Sequence, residues 1–241
     1  MLSPSRPAAR LWIALTVAVA LPLPAHAGPP YVTDDPEPTD TGHWEIYNYA
    51  GGTIEPDGRT LQFGVDANYG PTKDIQLTAT VPLQIQTGQP FGSGDIELAV
   101  KAKFLHQTGG PLPLDVSVFP RVILPIAHGS ARTQVLLPVW AERDWGAWSL
   151  FGGGGYTLNP GAGNRNYWQQ GAVLTRLVRA GFSLGLEYYG QGADSITDRA
   201  LTGVNLGTQI HIKGPFSLLG AVGQGLNRKQ TIFYTSLKLD L

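Results

Sequence analysis

Beyond His43 the chain alternates apolar and polar residues. Across 61–70, Leu61, Phe63, Val65, Ala67 and Tyr69 fall on one side of an extended backbone, and Gln62, Gly64, Asp66 and Asn68 on the other. Successive side chains of a strand point to opposite faces, so this is an amphipathic strand. The pattern recurs. Ile75, Leu77, Ala79, Val81, Leu83 and Ile85 oppose Gln76, Thr78, Thr80 and Gln84; Ile96, Leu98, Val100, Ala102 and Phe104 oppose Asp95, Glu97, Lys101 and Lys103. Phe182, Leu184, Leu186 and Tyr188 oppose Ser183, Glu187, Tyr189 and Gln191; near the C-terminus Phe233, Thr235, Leu237 and Leu239 oppose Tyr234, Ser236, Lys238 and Asp240. Turn-forming Gly, Pro, Asn and Asp punctuate the runs. They predict strands at 43–53, 60–70, 74–86, 95–106, 113–125, 134–143, 147–157, 166–178, 181–190, 201–213, 215–224 and 230–241. In 166–178, Arg176 shares the parity of Ala172 and Leu174, so a bulge or register change is expected there. The stretch "FGGGGY" at 151–156 predicts a bend or a close backbone approach.

Twelve such runs make an even count, as single-chain bacterial outer-membrane barrels have. They are longer than the roughly 5–6 residues common in soluble sheets and match the roughly 9–11 a tilted strand needs to cross a bilayer. Connections after odd-numbered runs are mostly long ("TGQPFGSG", "IAHGSARTQ", "LNPGAGNRN", "GQGADSITDRA"), and those after even-numbered runs mostly tight ("GPTK", "DWGA", "RAG", "KGP"), with "HQTGGPL" breaking the trend. Aromatics gather at both ends: Trp44, Tyr69, Trp145, Trp148, Phe182 and Phe216 toward the tight turns, and Phe63, Tyr156, Tyr167, Trp168, Tyr188 and Phe233 toward the long loops. Two bands fit the girdles at lipid–water boundaries. In hydrocarbon every backbone N–H and C=O must be paired, so a sheet crosses only by closing on itself. The expected fold is all-β: a closed antiparallel up-and-down transmembrane barrel of about 12 strands over 43–241, in a Gram-negative outer membrane.

Composition narrows the setting. Charged residues are 15% of the 241, against about 25% in soluble proteins. The absence of cysteine excludes disulfides and thiolate metal sites. A net charge of −1 offers no basic footprint for nucleic acid. Arg6 and Arg10, the apolar stretch 11–24 and the small residues of Ala25–His26–Ala27 read as a cleaved secretion signal over 1–27. Its removal takes two arginines and moves the net charge from −1 to −3. The next segment, 28–42, is rich in proline and acids, and is expected to be an extended, solvated periplasmic lead. Its Asp34, Asp35 and Glu37 lack the ligand spacing of a metal site.

The stretches "TDDPEPTDTGHWEIY" (33–47), "GSGDIELAVKAKFL" (92–105), "FPRVILP" (119–125) and "LLPVWAERDWGAWSLFGGGGY" (136–156) resemble a family of bacterial outer-membrane barrels. That family is labelled transporter-like and is linked by name to the meta-pathway of phenol degradation. The resemblance extends over nearly the whole chain after the signal. It implies a β-barrel and uptake of small aromatic or other organic compounds, and it brings no ligand residues with it.

The function this supports is passive passage of a small solute through the lumen, with pore width and lining charges setting selectivity. The expected lining residues are Asp66, Glu97, Lys101, Lys103, Arg121, Glu187 and His211. Both signs are present, and pairing among them would plug the lumen. A lipid-modifying enzyme is the second class. It needs a nucleophile, a base and an orienting acid, and only "HGS" at 128–130 offers two of these side by side; no G-x-S-x-G elbow is present. A structural barrel whose loops bind a partner is the third. No phosphate loop, metal-ligand cluster or dinucleotide fingerprint occurs, so no cofactor is expected. The expected partners are outer-membrane lipid, the barrel-assembly machinery and the solute. Nothing in the pattern sets an oligomeric state.

Overall fold

The computed structural model describes residues 30–110, 112–126 and 132–241. The expected signal segment and "HGS" at 128–130 lie wholly or partly outside these.

The chain forms twelve antiparallel strands: β1 (Trp44–Glu55), β2 (Gly58–Thr72), β3 (Ile75–Gln86), β4 (Gly92–Ser93 continuing as Ile96–Leu105), β5 (Asp115–Val118 continuing as Arg121–Leu124), β6 (Gln134–Trp145), β7 (Trp148–Leu158), β8 (Tyr167–Arg179), β9 (Phe182–Gln191), β10 (Leu201–Lys213), β11 (Phe216–Gly225) and β12 (Thr231–Asp240). Each pairs with its sequence neighbours, and β1 pairs with β12 from Glu45↔Asp240 to Ile54↔Thr231, which closes the barrel. Trp44 and Leu241 exchange backbone hydrogen bonds of 2.8 and 2.9 Å at the foot of that seam. Among the described residues there is no helix.

Two strands are interrupted, and prolines account for it. Phe119–Pro120 splits β5, because proline has no N–H to give the ladder; its carbonyl still accepts from Val100 N–H at 3.2 Å. Pro82 of β3 accepts from Gly94 N–H at 3.0 Å where β4 breaks. The tight turns use glycine where the backbone needs a positive φ, as at Gly146 (62°) and Gly214 (57°).

The tight turns after β2, β6, β8 and β10 lie at one end, which also holds the entry to β1 and the C-terminus of β12. The 106–114 connection is the long exception there. At the other end, β1 and β2 are joined by Pro56–Asp57 alone, so the first of the connections expected to be long is short.

The period-two pattern becomes two surfaces. Val65, Val81, Leu98, Val139, Leu150, Leu174, Leu186, Leu206 and Val222 are exposed on the outside. Inside, Lys101, Glu142, Glu187, Asn205, Ser217 and Lys238 are buried. This is a protein turned inside out relative to a soluble domain, and its apolar exterior suits hydrocarbon. Trp44 and Tyr69 meet at 4.8 Å near the turn end, and Tyr156 and Trp168 at 5.1 Å near the loop end, as cross-strand pairs in the two aromatic bands. Tyr167, expected in the outer band, instead has the inward parity; its neighbour Trp168 is the exposed one.

One local expectation changes and another holds. No register shift precedes Arg176: it lies opposite Trp148 and Leu184 in an unbroken ladder, and the bulge comes later, between Leu177 and Arg179. The glycines of β7 do mark a close approach, with the indole of Trp140 packed onto Gly153.

Val65 lies in the middle of β2, 40% exposed, between Asn48 and Val81. In a bilayer Val65→Arg is expected to cost about 2–4 kcal/mol, read as lost folded band on heat-modifiability gels after refolding into vesicles. Asp66→Asn, one residue along and facing inward, is expected to leave the folded fraction near that of the parent. The reverse order would contradict the facing of this strand.

Candidate functional site

The lumen is where the inward charges converge, and its main occupant is the segment before β1. Expected to be solvated, this lead is packed against the inner wall instead, with Thr33, Asp35 and Thr39 buried. The ten residues from Pro30 to Thr39 contain three prolines and three acids, a composition that resists regular structure. Asp35 and Glu37 N–H donate within the lead, to the Asp34 and Asp35 carboxylates at 2.8 Å; the lead's other buried polar contacts are made with the wall.

Three sets of contacts hold it. First, Glu187 on β9 accepts from the N–H groups of Val32 (3.2 Å) and Thr33 (2.6 Å), and from Asn205 Nδ2 on β10 (2.6 Å). Second, Lys101 Nζ on β4 lies 3.0 Å from Asp34 Oδ1 and 3.2 Å from Asp35 Oδ1, and donates to the Glu37 carbonyl at 3.1 Å. Arg121 on β5 bridges Asp34 (2.6 Å) and Glu97 (3.2 Å), and Lys103 joins Glu37 to Asp115 (2.9 Å). The Phe119 ring underlies both Lys101 and Arg121, 4.8 and 4.2 Å from its centre. Third, Gln76 Oε1 accepts from Thr39 N–H at 2.8 Å, and Gly42 N–H donates to Gly70 O at 2.7 Å.

The wall is carved to match. Tyr31 occupies the space that side chains at Gly185 and Gly207 would fill, and Thr33 the space beside Gly171. These are inward positions on β8, β9 and β10, where only a residue without Cβ leaves room for the lead.

Space remains around it. A cavity of about 690 Å³ near the loop end is lined by Tyr31, Tyr49, Gln62, Asn205, Ile232 and Tyr234. The Tyr49 and Tyr234 rings are stacked there, 6.0 Å apart with 12° between planes. A second cavity of about 320 Å³ shares Val32, Thr53, Gln191, Asp194 and Ile232 with it and reaches Trp140 and Arg228. Arg228 ties the loops at this end together, 3.2 Å from Glu55 and 2.9 Å from Asp198. Burial and the neighbouring Asp198 push the Asp194 carboxyl above the ordinary aspartate range. Toward the turn end a narrower cavity of about 130 Å³ runs beside the lead, between Tyr31, Asp66, Glu97 and Arg121.

Of the seven residues singled out from the sequence, Lys101, Lys103, Arg121 and Glu187 touch the lead, and Glu97 pairs with Arg121. Asp66 borders the narrow cavity and accepts from Asn68 Nδ2 at 3.1 Å rather than from a base on a neighbouring strand. His211 stands apart: it is exposed at the turn end of β10, with Nδ1 3.5 Å from Ser217 Oγ. The reading of the sequence missed Asp34, Asp35, Glu37, Gln76, Asp115 and Glu142. Two signals pointed to them: bases at Lys101, Lys103 and Arg121 in excess on neighbouring inward positions, and inward glycines at Gly171, Gly185 and Gly207 that line a groove.

No family model matches the chain, and no curated protein matches it in sequence. Solved structures do match in fold. An outer-membrane channel from Pseudomonas putida F1 superposes with a TM-score of 0.70 at 12% identity, over 86% of this chain and 98% of that one. The NanC porin gives 0.60 at 9% identity, over 82% and 100%. The KdgM porin, solved with disordered oligogalacturonate, gives 0.58 at 9% identity, over 81% and 98%. These likenesses do not confirm the phenol-degradation link that the resemblance implies. At these identities the likeness is one of fold, and the fold is the closed twelve-stranded antiparallel barrel of bacterial outer-membrane channels.

Proposed function

We propose that the protein is a passive outer-membrane channel for small organic solutes, restricted by its own lead. The observation that carries this reading is the train of cavities along the lead. About 690, 320 and 130 Å³ of space border Tyr31, Val32 and Thr33 in turn, wide at the loop end and narrow at the turn end. The apolar outer wall and the channel-like fold support placement in the outer membrane, with the tight turns on the periplasmic side. Selectivity then follows from pore width and lining chemistry.

The lining favours solutes with little net charge. The charged wall of β4 and β5 is largely neutralised by Asp34, Asp35 and Glu37 of the lead. The opposite wall offers Tyr49, Tyr234, Ala221, Ile232 and Asn205. Stacked phenol rings and amide side chains suit a small aromatic or polar neutral molecule better than an ion.

Purified protein in planar bilayers is expected to show small discrete conductance steps. A barrel that stays silent across a range of salts and voltages would count against the channel. Lys101→Met leaves Asp35 without its cation and Asp34 with Arg121 alone; breaking a buried pair costs about 3–5 kcal/mol, so the lead should loosen and conductance rise severalfold. Gly207→Val, which evicts Tyr31 without touching a charge, is expected to raise conductance in the same direction. If both variants fold and neither changes conductance, the lead does not restrict the pore. Asp66→Asn is expected to shift cation over anion permeability toward anions with the step size nearly unchanged, measured as reversal potential in a salt gradient.

A further inference from the structure

Leaving aside the terminal residue of each strand, three charged side chains stand on the outer parity of the wall: Arg59, Arg143 and Arg176. None is a carboxylate. Arg59 lies at the loop end of β2. Arg143 and Arg176 lie together near the turn end, on β6 and β8, with β7 between them. The ladder sets Arg143 opposite Leu150, and Arg176 opposite Trp148, whose other neighbour is Trp145. The Arg176 guanidinium sits over the Trp148 ring, 5.1 Å from its centre. Both arginines are exposed, and among the described residues neither makes an ion pair.

Strand geometry places their Cα atoms about 12 Å apart, two strands across and two residues along. Long side chains on either flank can converge over Leu150 and Trp148. The position along the strand matters as much. Arg143 is two residues from the end of β6 and Arg176 three from the end of β8, a climb of roughly 7–10 Å along tilted strands. That is the level of the aromatic band, where a cation can reach headgroups while its stem stays on apolar surface.

We propose that this patch binds the headgroup phosphate of an anionic glycerophospholipid in the leaflet at the turn end. The phosphate sits between Arg143 and Arg176, each able to donate two parallel N–H bonds to its oxygens. Trp148 holds the Arg176 guanidinium in place. The acyl chains run up the wall over Val139, Leu150, Leu174 and Leu184, all exposed. Charge complementarity selects this occupant: two unpaired cations on a wall without an outward carboxylate leave a second copy of the same surface repelled rather than bound. The proposal rests on the reading of the outer wall as lipid-facing.

The test is lipid retention. The full chain is reconstituted in vesicles of equal parts phosphatidylglycerol and phosphatidylcholine, extracted, and its bound lipids counted by native mass spectrometry. A basic residue at a membrane surface favours anionic lipid by about fivefold. The parent protein should therefore retain phosphatidylglycerol preferentially. Arg143→Gln and Arg176→Gln should each lower that preference by about fivefold, and Arg59→Gln should not change it. Each variant is first checked for the folded band on a heat-modifiability gel. Equal retention of both lipids by the parent, or an undiminished preference in the double variant Arg143→Gln/Arg176→Gln, overturns the site and leaves the channel reading standing. A dimer that persists in lipid-free detergent and dissociates in the double variant also overturns it, in favour of a subunit contact. A parent chain that will not enter vesicles defeats both the site and the lipid-facing wall.

Discussion

The ladder between β1 and β12 is the constraint on which the rest depends. With Glu45 to Ile54 paired to Asp240 to Thr231, no strand is left with an open edge. An open edge in hydrocarbon would leave a row of N–H and C=O groups unpaired, each costing several kcal/mol. Closure removes that cost and divides every strand into an outside and an inside. Once the outside is committed to Val, Leu and Ile, all charge but a few rim arginines has to go inward. There it meets the limited space of a twelve-stranded lumen.

Inside, charge has to be matched at close quarters. Without the acids of the lead, Lys101 would be an isolated cation against the Phe119 ring, and Arg121 would keep only Glu97. Asp34, Asp35 and Glu37 provide the counter-charge, and Glu187 receives two backbone N–H groups that a proline-rich segment cannot pair within itself. The lead and the wall therefore each resolve the other's unpaired groups. Gly185 and Gly207 show the same dependence in shape, since their missing side chains are the room for Tyr31. What remains open is the space between the lead and the uncharged wall of Tyr49 and Tyr234. The dominant interactions in the lumen thus set pore geometry as much as stability.

The sequence by itself determined the strands, their number and their facing. Period two is a local property, and a one-residue slip would turn Val65 inward and Asp66 toward lipid, so the pattern leaves little freedom. The inward parity of Lys101, Lys103, Arg121 and Glu187 was readable for the same reason. At Arg176 the pattern was the better guide. An outward arginine suggested a bulge, yet the ladder runs straight through it, because near a membrane boundary the guanidinium can reach headgroups. Only the tertiary structure decided where the lead goes and what the lumen charges pair with. "TDDPEPTDTG" has no period, and its partners are up to 154 residues away, brought together by barrel closure rather than by any neighbour in the chain. The position of His211 was decided in the same way. Its parity is inward, but its height puts it at the exposed rim, and height depends on strand tilt and turn placement that alternation alone does not encode.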